Sequence, residues 1–509
     1  MPKTLNIAVI GAGTMAQAVH LPVLRRRWDR FSVAALVDHS PRRRRESAEV
    51  WGIAEEKRYE TVTDLLAAVR SRELALDAVL LSTDGLHVED LLALMRRGLP
   101  VLVEPPIGFS AEEVAQVADF ERMTGRRLVM MAYPQQYDDS VTRMADQIAV
   151  KDLRMVDHEV LMPASQPLFG GAHVTTSSYD LPTELRTQRR KDLQAAVVAG
   201  AGDGATQRDR DLYVKGLLTG VAHQMAVLEA SYGPITQLSA VRHWPKGVIP
   251  GSIELLGELA GGARVRLVWH YLPFAPEYSE TVQVLSARRR MRLELPAPSH
   301  GDRRSSVSLR EKKSGAIQET STTASKGAAE LMWEAFHAFV EKGTVPVSGA
   351  AEARDQVTLM REVLAAIVGA DGRSLEAEPE AEAEAEGVGA EPADAPDAAE
   401  GAGETDADAA TGAASDADAD ADADADVPDA EADVASESGE APSSEAPAEP
   451  VAAPDAESDP APAAEEERPA PAAAPTGTPV DEPVDVWNLP AGSTGETTSG
   501  TAPEERPRP

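Results

Sequence analysis

Residues Leu5–Pro22, LNIAVIGAGTMAQAVHLP, decide the fold of the first part of this chain. The apolar run from Ile7 to Ile10 predicts a buried strand, and it leads directly into the turn Gly11-Ala-Gly-Thr-Met-Ala16. A helical pattern follows the turn. A strand, a G-x-G-x-x-A turn and a helix in this order are the opening of a dinucleotide-binding unit.

The small residues of this turn each have a physical task in such a unit. Gly11 permits the tight turn, Gly13 lets the backbone approach a pyrophosphate, and Ala16 allows the helix and the strand to pack closely. The N-terminus of the helix offers free N–H groups and a partial positive charge to the phosphates. The turn therefore predicts where the phosphates of a dinucleotide bind.

The next apolar run, from Phe31 to Val37, ends in Asp38, which lies 22 residues beyond Ala16. An acidic residue at about this distance holds the ribose hydroxyls of the adenosine, and this favours NAD. The arginines 42–45 follow closely and offer an alternative, a site for the additional phosphate of NADP. They also fit a solvated start of a helix. The sequence leaves NAD and NADP open, with NAD preferred.

Charge is distributed unevenly along the 509 residues, which contain no cysteine and have a formal net charge of −35. Residues 371–509 hold 39 acidic and 4 basic residues, whereas residues 1–370 hold 45 of each. The net charge of the whole chain therefore comes from the tail alone. No run of 18 apolar residues, no signal pattern and no metal-ligand spacing is present, so we expect a cytoplasmic, metal-free protein.

Apolar runs alternate with amphipathic segments through about residue 135, a pattern typical of an α/β domain with a doubly wound parallel sheet. The predicted strands are 7–10, 33–37, 78–81, 101–103 and 128–132, and the predicted helices lie near 14–27, 41–51, 61–72, 87–97 and 111–124. Residues 1–135 are therefore interpreted as a dinucleotide-binding Rossmann domain.

The pattern changes after residue 150 to one that predicts a mostly antiparallel open sheet with helices on one face. The predicted strands are 153–162, 235–243, 252–260, 263–271, 279–286 and 289–295, and Gly261-Gly262 predicts a hairpin. A long helix is expected at 209–231, and helices near 327–341 and 350–368 are expected to close this α+β domain, residues 136–370. Residues 164–208 give no clear pattern and are interpreted as a loop over the site.

Residues 371–509 form an acidic tail rich in Ala, Asp, Glu and Pro, with Trp487 as its one aromatic residue. Like charges repel and little apolar surface offsets the chain entropy, so a long disordered segment is expected. It is interpreted as a solubilising spacer. The alternative is a segment that binds an unknown partner, with the residues around Trp487 as its anchor.

Across residues 1–370 the chain resembles the Gfo/Idh/MocA oxidoreductases. The resemblance rests on the glycine turn, on His20-Leu-Pro22, on His87 followed by Gly98 and Val101-Leu-Val-Glu104, and on His223 in a helix at the family's D-x-G-x-H position. It implies a Rossmann domain, an α/β domain whose open sheet often mediates homo-oligomers, and a small-molecule substrate. The residues that it places along the cofactor are Gly11, Gly13, Thr14, Met15, Asp38, Ser82, Thr83, His87 and Glu104.

The chain departs from the family at the positions of catalysis. The family's E-K-P tripeptide is Glu104-Pro105-Pro106 here, and proline has neither a donor nor a titratable group to serve a developing alkoxide. Thr219 and Val221 replace the aspartate and the glycine of D-x-G-x-H. His223 is the candidate proton donor, against the alternative of a histidine satisfied at a domain interface.

Tyr133 is the second catalytic candidate, because it follows the last predicted strand of the first domain. Gln135, Gln136, Tyr137, His173 and Asp180 are further polar candidates. Two functions stay open: an NAD(P)-dependent oxidoreductase that acts on a small sugar, polyol or related carbonyl compound with an altered acid/base set, and a non-catalytic dinucleotide-binding sensor. Membrane binding and nucleic-acid binding are not expected, since the acidic tail would repel phosphate and the core has no extended basic and aromatic pattern.

Overall fold

The structure is a computed structural model that describes residues 3–83, 85–164, 168–169, 174 and 180–376. The predicted acidic tail with Trp487 falls almost entirely outside these residues, and His173 also lies outside them. Across the described ranges, no helix combines the length and the apolar character needed to cross a membrane.

The first sheet contains six parallel strands in the order β3-β2-β1-β4-β5-β6. They are β1 (Leu5–Ile10), β2 (Phe31–Val37), β3 (Arg58–Tyr59), β4 (Ala78–Leu81), β5 (Val101–Val103) and β6 (Val129–Met131). The central strand β1 pairs with both β2 and β4, so the strand order reverses there. Ligands of such sheets bind outside the carboxyl ends of the strands at this reversal. The predicted doubly wound parallel sheet is confirmed.

Helices connect these strands close to where the sequence predicts them. They are a π-helical segment (Ala16–His20) that continues into α1 (Leu21–Arg26), then α2 (Pro41–Trp51), a 3-10 turn (Glu55–Lys57), α3 (Val62–Arg70), α4 (Val88–Arg96) and α5 (Ala111–Thr124). The hydroxyls of Ser40, Thr61 and Ser110 cap three of the helices by accepting backbone N–H groups. Local capping chemistry therefore sets these boundaries.

The second sheet contains eight strands in the order β14-β13-β12-β11-β7-β10-β9-β8. They are β7 (Leu153–Met162), β8 (Ile235–Trp244), β9 (Ser252–Leu259), β10 (Arg264–Tyr271), β11 (Ser279–Ser286), β12 (Arg289–Leu295), β13 (Ser306–Lys313) and β14 (Ala316–Thr323). Only the β7/β10 pair among them is parallel. The predicted mostly antiparallel open sheet is confirmed.

The remaining helices follow the first sheet or cover the second. They are a 3-10 turn (Pro134–Tyr137), α6 (Asp139–Thr142), α7 (Met144–Gln147), a 3-10 turn (Val150–Asp152), α8 (Thr183–Ala201), α9 (Gln207–Leu212), a π-helical segment (Tyr213–Val221), α10 (Ala222–Ser231), α11 (Ala328–Lys342) and α12 (Ala350–Ala370). The helix predicted over 209–231 is observed as one continuous helical run from 207 to 231 in three segments.

The sequence interpretation missed three strands and one helix. Strand β3 has only two residues, β14 is exposed along its whole length, and the alternation of β13 is limited to the partly buried Val307 and Leu309. Helix α8 occupies much of the stretch that was interpreted as a loop. Its charged sequence is only weakly amphipathic, and few of its residues are buried.

Apolar side chains form two clusters, one on each face of the first sheet. Helix α12 contributes to the cluster that continues beneath the second sheet. Helix α11 contributes Trp333 and Phe336 to the other cluster, together with residues of β1 and β2. We expected both helices to close the second part of the chain. Helix α11 instead returns to the first sheet, because its apolar face complements the surface beside α1.

Candidate dinucleotide site

The turn after β1 must begin with glycine. Gly11 has φ +86°, a conformation that side chains disfavour. A Cβ atom on Gly11 would also lie 2.4 Å from the carbonyl oxygen of Ser82, at the end of the neighbouring strand β4. The structure therefore brings Gly11, Ser82 and Thr83 together at the carboxyl edge of the sheet, as the sequence predicts.

Gly13 is in a different situation, since its surroundings leave space. A Cβ atom on Gly13 would come no closer than 3.8 Å to any neighbouring atom, which is an ordinary contact distance. The helix begins directly afterwards at Thr14 and Met15, and the first N–H groups of a helix have no carbonyl partner within it. This combination of space and free donors fits the approach of a pyrophosphate to the turn.

Asp38 joins the end of β2 to the glycine turn. Its side chain is 3% exposed, and its carboxylate accepts the N–H of Ala12 at 2.8 Å, the N–H of Ser40 at 2.9 Å and the Nε–H of Arg43 at 2.8 Å. These bonds fix the carboxylate between the turn and the start of α2. That is the location at which an adenosine ribose would meet it in a dinucleotide-binding unit.

The arginines after Asp38 divide into two pairs. Arg43 and Arg44 turn inward: Arg43 binds the carboxylate of Asp38, and the guanidinium of Arg44 donates to the backbone oxygen of Asp38. Arg42 and Arg45 are exposed and lie beside Glu46. The exposed pair fits a solvated start of the helix, and a site for the additional phosphate of NADP stays a prediction.

His87 braces two loops of the site through both of its ring nitrogens. Nδ1 lies 2.8 Å from the carbonyl oxygen of Pro106, and Nε2 lies 2.9 Å from that of Thr83. The ring is 1% exposed. Its polar atoms are engaged with the backbone, so the ring links the segments that follow β4 and β5.

Glu104, at the end of β5, is oriented by a chain of two further side chains. One carboxylate oxygen contacts Nε2 of the fully buried His20, and Nδ1 of His20 lies 3.1 Å from the indole Nε1 of Trp333. An indole N–H can only donate, so Nδ1 is the acceptor and Nε2 carries the proton that is donated to Glu104. Trp333 was not singled out in the sequence, because it lies more than 200 residues from its partners.

The replaced family positions provide no proton donor. Pro105 follows Glu104 directly and has no polar side-chain atom. The hydroxyl of Thr219 donates to the carbonyl oxygens of Val214 and Lys215, at 3.0 and 2.9 Å, within its own helix. The hydroxyl proton of Thr219 is therefore shared with backbone carbonyl groups of its own helix.

His223 lies against Tyr133, with ring centroids 5.0 Å apart and planes nearly perpendicular. Burial lowers the pKa of His223 below its usual 6.5, and the nearby carboxylates of Glu104 and Glu280 oppose this shift. The imidazole is consequently neutral near pH 7, the state that accepts a proton.

The contacts of Tyr133 fit a residue that positions a neighbouring side chain better than one that transfers a proton. The side chain is 3% exposed, and its hydroxyl donates to Oε1 of Gln356 at 2.5 Å. Burial, together with the charges of Glu229 and Glu104, raises its pKa well above 10. Its catalytic role stays a prediction, and the observed contacts favour positioning of His223.

A second polar cluster faces the site from the second sheet. Glu280, 3% exposed, accepts bonds from Nε2 of His158 at 2.8 Å, from the hydroxyl of Tyr278 at 2.5 Å and from the amide of Gln135. Only Gln135 of these was singled out in the sequence. His158 and Glu280 lie on strands whose alternation marks them as inward facing, and Tyr278 directly precedes the strand of Glu280. Within the described residues, no group of three or more His, Asp or Glu is placed to hold a metal ion.

The other polar candidates are also engaged. Gln136 donates to the carbonyl oxygen of Ala226 at 3.2 Å and accepts the hydroxyl of Ser348 at 2.7 Å, and burial raises the pKa of Tyr137. Asp180 accepts the hydroxyl of Ser40 and the backbone N–H of Arg42, each at 2.8 Å. Asp180 therefore lies at the start of α2, beside Asp38.

Comparison with known proteins matches residues 5–133 to an oxidoreductase family model described as a NAD-binding Rossmann fold. An inositol 2-dehydrogenase from Arthrobacter sp. strain FB24 is 30% identical over 173 residues, which are 33% of this chain and 49% of the relative. Inositol 2-dehydrogenase 2 of Saccharopolyspora erythraea is 33% identical over 142 residues, 28% of this chain and 40% of the relative. The chain thus spans about half or less of these curated relatives.

Solved structures share the fold over a longer range. An oxidoreductase from Pseudomonas syringae aligns with a TM-score of 0.54 at 15% identity and covers 73% of this chain and 99% of its own. A mutant 3-ketoreductase from Actinomadura kijaniata, solved with TDP-benzene and NADP, aligns with a TM-score of 0.51 at 16% identity and covers 72% and 98%. At such identities these similarities concern the fold.

The sequence match and the architecture agree. The matched residues 5–133 contain the glycine turn, Asp38 and Glu104, and the two-sheet fold extends the similarity through the described residues. Residues 5–133 of this chain match the Gfo/Idh/MocA family of oxidoreductases.

Proposed function

We propose that this protein is an NAD(P)-dependent oxidoreductase that transfers hydride to or from a small sugar, polyol or related carbonyl compound, with an altered acid/base set. The observation that carries the proposal is the location of His223. The imidazole packs against Tyr133, and the charges of Glu104 and Glu280 are close enough to act on its pKa, which burial lowers. The relatives named as inositol dehydrogenases support the class of substrate.

Each residue of the site has a part in binding. Gly11 and Gly13 shape the pyrophosphate turn, Asp38 is placed to accept the adenosine ribose hydroxyls, and Glu104 is oriented by His20 to meet the nicotinamide ribose. When bound, the nicotinamide supplies the hydride acceptor or donor. The protein contributes position and charge.

Proton transfer falls to His223 in this proposal. In alcohol oxidation a bound oxidised coenzyme would accept the hydride from carbon, and the imidazole would take the proton from oxygen as the carbonyl group forms. Pro105 cannot take that proton, whereas a neutral imidazole can. Tyr133 holds the ring from one side, and Glu280 favours the imidazolium that forms because its negative charge raises the pKa of His223.

A two-stage experiment tests the proposal. Titration with NADH and NADPH comes first, followed by a panel of polyols and aldoses with the coenzyme that binds more tightly. We expect saturable binding, turnover of at least one substrate, and a loss of about 10²-fold or more in kcat in His223→Ala. Absence of binding by either coenzyme would contradict the proposal, as would turnover that His223→Ala leaves unchanged.

A second candidate is a non-catalytic dinucleotide-binding sensor. Pro105 and the inward-bonded hydroxyl of Thr219 favour it, because two polar positions of the family's catalysis have no equivalent at those places. Tight coenzyme binding with no turnover across the panel would support this candidate over the first.

Further properties complete the proposal. Residues 1–135 form the NAD(P)-binding domain, residues 136–370 the substrate and oligomerisation domain, and residues 371–509 the acidic tail. A homo-oligomer through the second sheet, a cytoplasmic location and a partner of the tail are proposed with them. Size-exclusion chromatography with light scattering tests the oligomer.

A further inference from the structure

Two carboxylates from distant parts of the chain meet at Ser40. Asp38 accepts the backbone N–H of Ser40 at 2.9 Å, and the carboxylate of Asp180 accepts its hydroxyl at 2.8 and 2.9 Å. Asp180 also accepts the backbone N–H of Arg42 at 2.8 Å. Ser40 is fully buried, so both carboxylates lie at the inner edge of the turn between β2 and α2.

This turn is where the recognition of NAD differs from the recognition of NADP. The acidic residue after the second strand binds the 2′-hydroxyl of the adenosine ribose, and nearby arginine accommodates the 2′-phosphate when NADP is bound. A 2′-phosphate would need hydrogen-bond donors just beyond Asp38. The donors that the structure places directly against the chain's own carboxylates there are the Ser40 hydroxyl, the Arg42 amide and the Arg43 guanidinium.

All three donors are engaged by carboxylates of the chain itself. Asp38 holds Arg43, and Asp180 holds the Ser40 hydroxyl and the Arg42 amide. A phosphate would have to displace Asp180 and would then face two negative charges. The 2′-hydroxyl of NAD carries no charge and needs only an acceptor, which Asp38 provides.

We propose that Asp180 occupies the 2′-phosphate position of the dinucleotide site and thereby selects NAD against NADP. The inference rests on the proposed coenzyme binding and specifies which coenzyme is bound. Asp180 acts as a specificity-determining residue: it mimics the phosphate in its contacts and repels it by its charge. It lies 142 residues after Asp38, so the sequence spacing of the fingerprint does not include it.

Titration of the full-length protein with NADH and NADPH tests the inference in the wild type and in Asp180→Asn, which keeps the shape and removes the charge. We expect the ratio of the two dissociation constants to shift toward NADPH by about tenfold or more, equivalent to about 1.4 kcal/mol. Glu184→Gln is the matched control, because it removes one exposed acidic charge four residues away. It is expected to change the ratio by less than about twofold, within ordinary surface effects.

One additional ligand and two additional variants separate the outcomes. Adenosine 2′,5′-bisphosphate, which lacks nicotinamide, is expected to bind Asp180→Asn and Asp180→Ala more tightly than the wild type, and Asp180→Glu is expected to retain exclusion. If the ratio of the two dissociation constants is unchanged in both neutral variants, or if NADH and NADPH bind more weakly by the same factor, the inference is overturned and Asp180 is assigned to helix capping. If the wild type binds neither coenzyme, the proposed function itself fails.

Discussion

The imidazole of His20 connects Trp333 to Glu104: the indole donates to Nδ1 at 3.1 Å, and Nε2 contacts the Glu104 carboxylate. A helix near the end of the folded part thus sets the tautomer of a histidine near its beginning. The histidine in turn orients a carboxylate at the strand edge. The orientation of Glu104 therefore depends on two buried side chains that lie behind it.

The relay predicts a binding defect in Trp333→Phe. Loss of the indole donor frees Nδ1 of His20, so the donor to Glu104 is no longer fixed. We expect the variant to fold with reduced stability and to bind NADH about tenfold more weakly, as is typical when an outer partner of a binding residue is removed.

Phe339→Leu is the control for this prediction, since Phe339 lies in the same helix and the same apolar cluster and its ring packs against Phe336, outside the relay. It is expected to lower the melting temperature without changing NADH affinity. Equal losses of affinity in both variants would indicate that packing alone matters.

The two glycines of the turn are predicted to respond differently to alanine. Gly13→Ala leaves the fold intact, because the added methyl group meets nothing closer than 3.8 Å, yet the methyl group occupies the approach of the pyrophosphate. Gly11→Ala destabilises the protein, because its Cβ would lie 2.4 Å from the Ser82 oxygen. Thermal melting and NADH titration distinguish the two. A Gly13→Ala variant with wild-type affinity would place the phosphates elsewhere.

A pH dependence of catalysis follows from the lowered pKa of His223. Oxidation of an alcohol needs the neutral imidazole, so kcat/KM is expected to rise with pH through a value below 6.5 and to remain level at neutral pH. His223→Gln removes this limb of the profile. A limb that survives the substitution would assign it to another group.

A pH dependence of stability is predicted at Glu229. Burial, together with the charges of Glu352 and Asp355, raises its pKa to about 8 from 4.5. The neutral acid is therefore favoured in the folded state, and its contribution is complete below pH 4.5 and lost as pH rises through about 8. Glu229→Gln is expected to increase stability relative to the wild type at pH 9 more than at pH 5. Denaturant unfolding of both proteins at pH 5 and pH 9 measures this effect. An equal difference in the free energy of unfolding at the two pH values would contradict the prediction.

The folded part is predicted to need residues beyond 370. Arg373 forms two hydrogen bonds with the buried Asp209, at 2.6 and 2.9 Å, and Gly204 donates to the carbonyl oxygen of Leu375 at 2.8 Å. Burial tends to raise the pKa of Asp209, but bonds from Arg373 and Thr206 outweigh it and lower the pKa to about 2. The ionised carboxylate therefore adds stability above pH 3.8, which is lost as pH falls toward 2.

We expect a chain ending at residue 376 to melt like the full chain, and one ending at residue 370 to melt at a lower temperature. The expected difference near neutral pH is about 2 kcal/mol, from the shift of about two pKa units. Arg373→Gln in the 376-residue chain is expected to reproduce most of it. Identical melting of all three would contradict the role of this pair.

Local chemistry in the sequence was enough to predict five of the six strands of the first sheet, its main helices, the glycine turn and Asp38. A buried parallel strand is a short apolar run, a helix start is a capping residue, and the positive φ of Gly11 requires glycine in the turn. These properties depend on neighbours in the sequence. The alternation of β7 and β9–β12 predicted the second sheet for the same reason.

Only the tertiary structure decided which distant side chains meet. Trp333 reaches His20, Glu280 reaches His158 and Gln135, and Asp180 reaches Ser40. The exposed strand β14 depends on backbone pairing with β13 and carries little pattern of its own. Such contacts arise from the path of the chain through two sheets. Sequence periodicity reports burial within one element, and it contains no information on which residue of another element will lie opposite.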